Sequence, residues 1–122
     1  MNYLIELIYS ELKKVHDRVY QCEADENAEY PFITFNVKTG LKTDARNDDI
    51  LIVEIWDINE DTSTIEDMAD RVERLLDYNC INTNRLSTVF YRETRSNSTQ
   101  ADDEAYCREL RFETQTYYFE EV

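Results

Sequence analysis

Apolar and polar residues alternate along the chain in a way that predicts several β-strands. In one segment the apolar residues Ile33, Phe35 and Val37 alternate with polar ones, which is the two-residue period of a half-buried strand. A later segment is rich in isoleucine and valine and is apolar on nearly both faces, which favours a strand buried on both sides. The predicted strands are Val19–Cys22, Pro31–Lys38, Asp49–Trp56, Arg85–Arg95 and Ala105–Phe119.

Two other segments carry apolar residues every three or four positions, the period of an amphipathic α-helix. The first helix is predicted from Asn2 to about His16, and the second from Ser63 to about Asn79. The sequence Ser63-Thr-Ile-Glu66 is a capping-box pattern, in which both polar side chains bond backbone N–H groups of the first turn. Two ion pairs at helical spacing are predicted on the solvent side, namely Asp67–Arg71 and Asp70–Arg74.

Together these elements predict a single α+β domain over residues 1–122. We expect an antiparallel sheet of about four strands, with the two α-helices packed on one face. The predicted order is helix, short strand, strand, strand, helix, strand, strand. A chain of 122 residues can bury roughly two-thirds of its unfolded surface, so one hydrophobic core is sufficient.

The amino-terminal residues and the hydropathy of the chain argue against secretion and membrane insertion. Met1–Glu6 has no basic segment before its apolar residues, so we expect no signal peptide. No window reaches the ~18 apolar residues that a membrane-spanning helix needs. The cysteines Cys22, Cys80 and Cys107 are far apart and suit a reducing compartment.

No group of residues in the sequence has the spacing that is typical of an enzyme or a metal site. His16 is the only histidine and the cysteines have no paired spacing, so a zinc site is not expected. The segment from Asp57 begins like a calcium loop, but Thr62 replaces the glycine and Met68 replaces the final glutamate. We therefore predict a protein that is not an enzyme and has no catalytic, metal or cofactor site.

Charge is the extreme property of this chain, with 27 acidic against 13 basic residues and a net charge of −14. Such a surface repels nucleic-acid phosphates, which argues against a protein that grips DNA or RNA. The acidic residues cluster in four predicted loops: Glu23–Glu26, Asp44 with Asp48 and Asp49, Glu60–Asp61, and Asp102–Glu104. Two interpretations stay open: a solvated rim, or loops that line a passage or mimic a polyanion.

The predicted strand Asp49–Trp56 has more apolar residues than one sheet face needs. Leu51, Val53 and Ile55 form one apolar face, which is adequate to pack against two helices. The apolar residues of the opposite face are Ile50, Ile52 and Trp56. Two helices normally cover one side of an antiparallel sheet, so this second face needs another cover. That cover is either a folded-over strand or another subunit.

The order of these elements resembles the tail-terminator and head–tail joining (minor tail) proteins of long-tailed bacteriophages and prophages, from about Leu4 to Tyr118. An amphipathic helix leads, and an acidic loop precedes a long closing strand. The sequence patterns that carry the resemblance are Tyr30-Pro-Phe-Ile33, Glu54-Ile-Trp-Asp57, Met68-Ala-Asp-Arg-Val72 and Asp102-Asp-Glu-Ala-Tyr-Cys-Arg-Glu-Leu-Arg-Phe112. Members of this group commonly place glycines before the second helix, where this chain has Asn59–Ser63.

The resemblance implies a non-enzymatic virion protein that forms a ring, often a hexamer, and closes the tail tube beneath the capsid connector. Its partners would be copies of itself, the tail tube and the head–tail connector, with DNA passing through unbound. It would occupy the bacterial cytoplasm during assembly and then the virion.

On this interpretation we expect Ile50, Ile52 and Trp56 to form the contact between subunits. The acidic loop with Asp44, Asp48 and Asp49 would face the lumen, where a lysine-lined wall would instead bind DNA by releasing its counterions. The alternative is an acidic DNA mimic that inhibits a DNA-binding enzyme. A mimic requires a continuous double row of acids along one face, whereas a ring requires acidic loops around a pore.

Overall fold

A computed structural model of the chain describes residues 2–43, 45–100 and 105–119, with the side chains of 98–100 outside that description. Within these ranges the chain forms two helices, each followed by three strands. The helices are α1 (Asn2–Leu12) and α2 (Ser63–Leu76). The strands are β1 (Val19–Gln21), β2 (Phe32–Lys42), β3 (Asn47–Asp57), β4 (Cys80–Asn82), β5 (Leu86–Gln100) and β6 (Ala105–Tyr118). No helix in these ranges is long and apolar enough to cross a membrane.

The sheet has six strands in the order β1-β2-β3-β6-β5-β4 and curls into a half-barrel. The prediction of a four-stranded, purely antiparallel sheet covered by two helices is therefore wrong. β1 pairs with β2 in parallel, and β4 pairs with β5 at the other edge. β1 confirms the predicted short strand Val19–Cys22, whereas β4 has only three residues, which is too short for alternation to reveal it.

The long strands also extend further than the sequence pattern indicates. β5 continues to Gln100 because its polar residues pair with β6 as far as Ala105. The polar segment from Ser96 to Gln100, which lies beyond the predicted strand Arg85–Arg95, is therefore strand. Backbone pairing with β6 continues through this segment, and alternation of apolar side chains cannot report such pairing.

The hydrophobic core lies between the helices and one face of the sheet. Leu51, Val53 and Ile55 of β3 are fully buried there, as the alternation in β3 predicts. α1 packs beside β1, and α2 packs against β3, β5 and β6. The helical residues of this core are Leu4, Ile8 and Leu12 from α1, and Ile65, Met68, Ala69, Val72 and Leu76 from α2.

The start of α2 differs from the predicted capping box. Thr62 is the N-cap residue and its side chain makes no capping hydrogen bond. Instead, an Asp61 carboxylate oxygen accepts a hydrogen bond from the Ser63 N–H at 3.0 Å, and the Asn59 side chain accepts one from the Asp61 N–H at 3.1 Å. Two consecutive Asx turns therefore lead into the helix.

Glu66 is not available for capping because it belongs to an ion-pair network that joins α2 to β5 and β6. Its carboxylate accepts a hydrogen bond from Arg108 Nε and pairs with Arg95 at 3.0 Å. Arg95 also contacts Asp70 at 2.8 Å. Among the described residues, Asp70 thus pairs across to β5 and not with Arg74 as helical spacing predicts.

Candidate assembly surface

The face of the sheet opposite the helices is the candidate functional surface, and we call it the second face. Directly paired residues of neighbouring strands share a face, so the strand register defines its members. From β2 and β3 these are Phe32, Thr34, Asn36, Lys38, Ile50, Ile52, Glu54 and Trp56. From β6 and β5 they are Cys107, Glu109, Arg111, Glu113, Tyr91, Thr94 and Ser96.

The three apolar residues predicted to contact another subunit all lie on the second face. Ile52 is 8% exposed and pairs with Asn36 of β2 and Arg111 of β6. Ile50 and Trp56 are partly exposed. The single chain therefore leaves two apolar side chains of the second face partly open.

Trp56 lies at the edge of a hollow of about 390 Å³. The lining residues include Cys22, Tyr30, Phe32, Thr34, Glu54 and Trp56. The ring centroids of Tyr30 and Phe32 are 5.0 Å apart, so part of the wall is aromatic. The hollow joins this aromatic part of the wall to the side chains of Glu23 and Glu54.

The loop between β1 and β2 forms one side of this hollow and is fixed at its base. Arg18 Nε donates hydrogen bonds to the carbonyl oxygens of Glu29 at 3.0 Å and Pro31 at 3.1 Å. His16 Nε2 also lies 2.9 Å from the Pro31 carbonyl oxygen. His16, the only histidine in the sequence, therefore has a structural partner. Cys22, which follows β1, adopts a positive φ of 69°.

Two carboxylates oppose each other at the centre of the second face. Glu54 of β3 pairs directly with Glu109 of β6, and the Cys107 thiol lies 3.8 Å from a Glu54 carboxylate oxygen. Burial raises the pKa of Glu54, and the charge of Glu109 raises it further, while the thiol contact acts in the opposite direction. Ser96 Oγ donates to Glu109 at 3.4 Å.

The acidic residues predicted to face a lumen are not in one loop. Asp48 and Asp49 belong to β3 and point to opposite faces, and Asp44 lies outside the described residues. Asp48 pairs with Arg46 at 2.7 Å. Asp49 is 2% exposed and accepts a hydrogen bond from the Gly40 N–H at 3.1 Å. In the single chain Asp49 is therefore closed to solvent.

Two other acidic clusters lie in loops next to the strands of the second face. β1 and β2 are parallel and Gln21 pairs with Phe35, so Glu23–Glu26 leaves β1 beside Phe35, where Glu23 and Ala24 line the hollow. Glu60–Asp61 instead follows the end of β3, beyond the pair Phe32–Trp56. The side chains of both clusters are exposed, apart from partly covered Ala24. The remaining cluster, Asp102–Glu104, lies outside the described residues.

Side chains that could bind a metal ion do not gather in the described ranges. No group of three or more His, Cys, Asp or Glu residues is placed there to hold one. The Asp57 carboxylate accepts a hydrogen bond from the Ile58 N–H at 2.8 Å, which is the geometry of a turn. Cys22 and Cys80 are exposed and Cys107 is buried.

Comparison with known proteins identifies the fold. The chain matches no protein-family model and no curated protein sequence. It is similar to a chain from the virion of a native gene transfer agent particle, with a TM-score of 0.72 and 11% identity over 90% of this chain and 91% of that one. A second solved structure, without a descriptive name, gives a TM-score of 0.64 and 11% identity over 95% and 97%. At this identity the likeness concerns the fold.

Proposed function

We propose that this chain is a non-enzymatic structural protein of a phage or prophage virion. The observation that carries the proposal is its fold, which matches a chain of a gene transfer agent virion over nine-tenths of both chains. The resemblance in sequence to tail-terminator and head–tail joining proteins supports the same class by a separate route. A shared fold alone does not determine function, so the specific role is inferred from the residues of the second face and the acidic loops.

The finer proposal is a tail terminator or head–tail joining component that assembles into a ring, with six copies as the expected number. Partly exposed Ile50 and Trp56, with Ile52 between them, are the proposed contact residues. Removing such side chains from water contributes roughly 25 cal/mol for each Å² of apolar surface. Head-to-tail contacts that repeat with a closing rotation form a ring.

The exposed acidic loops support a lumen through which DNA slides without binding. The acidic side chains of Glu23–Glu26 and Glu60–Asp61 are exposed and would repel phosphates. Asp48, at the start of β3, stays a candidate, and so does Asp44 from the sequence alone, whereas Asp49 would first have to be uncovered. At −14 per chain, the subunits themselves repel one another at low salt, so association should strengthen with ionic strength.

The alternative function, a DNA mimic, has less support from the described surface. Lys38 and Arg111 lie among the acids of the second face, so no continuous double row of carboxylates runs along it. A mimic that competes for a DNA-binding enzyme needs such a row, because the enzyme reads regularly spaced phosphates.

The proposal is tested by measuring the mass of the full chain at about 0.1 M and about 0.5 M salt, where the Debye length falls from roughly 10 to below 5 Å. Tail tubes are added in a second series, and assemblies are imaged by negative stain. We expect rings that grow more stable with salt or on tubes. A chain that stays monomeric in both series, while binding a DNA-processing enzyme tightly, would replace the ring with the mimic.

Substitution of Trp56 then tests the contact surface. Trp56→Lys should remain folded by circular dichroism and fail to form rings. Tyr9→Lys is the matched control, because Tyr9 is an exposed aromatic residue on α1, away from the second face. If Trp56→Lys unfolds, Trp56 is a core residue and not a contact. Ile50→Lys then repeats the test at a second partly exposed position of the same face.

A further inference from the structure

A partner that covers the second face would bury the Glu54–Glu109 pair. Burying two charged carboxylates is unfavourable unless the pair takes up a proton. Both residues lie on the second face and pair directly across β3 and β6. Ile52 and Trp56, two of the proposed contact residues, flank Glu54 on the same strand. Any partner that covers these apolar side chains also covers the carboxylate between them.

The surroundings of Glu54 offer little to balance its charge. β2 places neutral Thr34 directly opposite, and β6 contributes Glu109 and the Cys107 thiol. The adjacent loop adds Glu23 and Tyr30 to the hollow that Glu54 lines. No ion pair with Glu54 is found within the described ranges.

The nearest cation on this face is already engaged elsewhere. Arg111 of β6 lies one pair along, opposite Ile52, and contacts the Glu93 carboxylate at 3.8 Å. On β2, Lys38 is opposite Ile50 and thus two pairs away from Glu54. The centre of the face is therefore locally anionic, in addition to the overall charge of the chain.

We infer that self-association through the second face is coupled to the uptake of a proton by the Glu54–Glu109 pair. This inference rests on the proposed function, because it assumes that copies of the chain bury this face. A buried carboxylate favours its neutral form, and a second carboxylate opposite favours it further. The same burial and charge already raise the pKa of Glu54 in the single chain.

The sign of the pH dependence follows by linkage. If the assembled state binds one more proton for each contact, the association constant rises up to about tenfold per unit of pH decrease. The association constant rises over the pH range in which the Glu54–Glu109 pair has taken up the proton in the assembly but not in the free chain. Assembly is thus strengthened by mild acid and reversed by raising the pH.

The experiment measures the association constant of the full chain by sedimentation at about pH 7.5 and about pH 5.5, at fixed ionic strength. The whole chain also loses charge towards its pI of 4.3, so a control for general repulsion is needed. Glu113→Gln is that control, because Glu113 lies on β6 and on the same face but opposite Ile50. It removes the same single charge without breaking a carboxylate pair.

Glu54→Gln should associate about tenfold more tightly than the wild type at neutral pH and lose most of the pH dependence. Glu113→Gln should keep the wild-type pH dependence. If the wild type forms rings and Glu54→Gln retains the full pH dependence, the proton coupling is wrong and the ring stands. If the wild type forms no ring at either pH, in high salt or on tubes, the proposed function fails and this inference fails with it.

Discussion

In the ion-pair network of α2, loss of the Glu66 charge and loss of the Arg108 charge should lower the free energy of unfolding by different amounts, which unfolding experiments can measure. Arg108 is 9% exposed, whereas the Glu66 carboxylate that it contacts is 41% exposed. Glu66→Gln leaves a nearly buried guanidinium without its counter-charge. Arg108→Met instead leaves a carboxylate that still reaches water and pairs with Arg95.

The expected magnitudes follow from these exposures. Removing one partner of a fully buried ion pair costs about 3–5 kcal/mol. Water can partly replace a carboxylate that is 41% exposed, and Arg108 keeps its hydrogen bond to the Cys107 carbonyl oxygen at 3.2 Å. We therefore expect Glu66→Gln to cost about 1–2 kcal/mol, and Arg108→Met less than about 1 kcal/mol.

Urea unfolding of both single variants and the double variant measures the coupling directly. Asp70→Asn is the control, because Asp70 is 57% exposed and contacts Arg95 but not Arg108, and it should cost at most about 0.5 kcal/mol. The double variant should be destabilised by less than the sum of the single variants. A larger cost for Arg108→Met than for Glu66→Gln would contradict the reasoning from burial.

The same network gives a pH dependence of known sign. The hydrogen bond from Arg108 lowers the pKa of Glu66 below its usual value of 4.5, and the charges of Arg108 and Arg95 act in the same direction against burial. A lowered folded pKa means that this stabilisation is present above pH 4.5 and is lost as the pH falls through the folded pKa. The difference in unfolding free energy between wild type and Glu66→Gln should therefore shrink in acid. A difference that grows below pH 4.5 would refute this assignment.

Three further predictions concern single positions. Gly40→Ala should destabilise the chain by about 1–3 kcal/mol in urea unfolding, because an added Cβ would collide with the Asp48 carbonyl oxygen; an unchanged midpoint would contradict this. Glu54→Gln should raise the unfolding free energy at neutral pH by about 0.5 kcal/mol, and the gain should vanish below pH 4.5 because the raised folded pKa penalises only the charged form. Leu110→Ala should cost about 2–5 kcal/mol, since Leu110 is fully buried; a loss below about 1 kcal/mol would place it outside the core.

The parts of the fold that sequence could predict are those that alternation or helical spacing encodes. The inward face of β3 and the buried stripe of α2 follow directly from their apolar periods. The edge strand β4 does not, because three residues give too little periodicity. The predicted capping box does not form, because Glu66 gains more partners from β5 and β6 than from its own helix end.

The candidate surface was predictable in part for the same reason. The positions of Ile50, Ile52 and Trp56 on one face follow from the two-residue period of a strand. The opposition of Glu54 and Glu109 does not, because it depends on the register between two strands that are more than fifty residues apart. The position of Glu23 beside the hollow that Glu54 lines likewise depends on strand register, which no local pattern contains.

The way in which the β1–β2 loop is held separates its shape from its charge. Arg18 donates to two carbonyl oxygens of the main chain at the base of the loop, and in the described ranges no ion pair engages the carboxylates of Glu23, Asp25 or Glu26. Replacing any of these acids thus leaves the supporting hydrogen bonds intact. The negative charge of this loop can therefore be changed one side chain at a time, by mutation or in evolution, without altering the backbone that carries it.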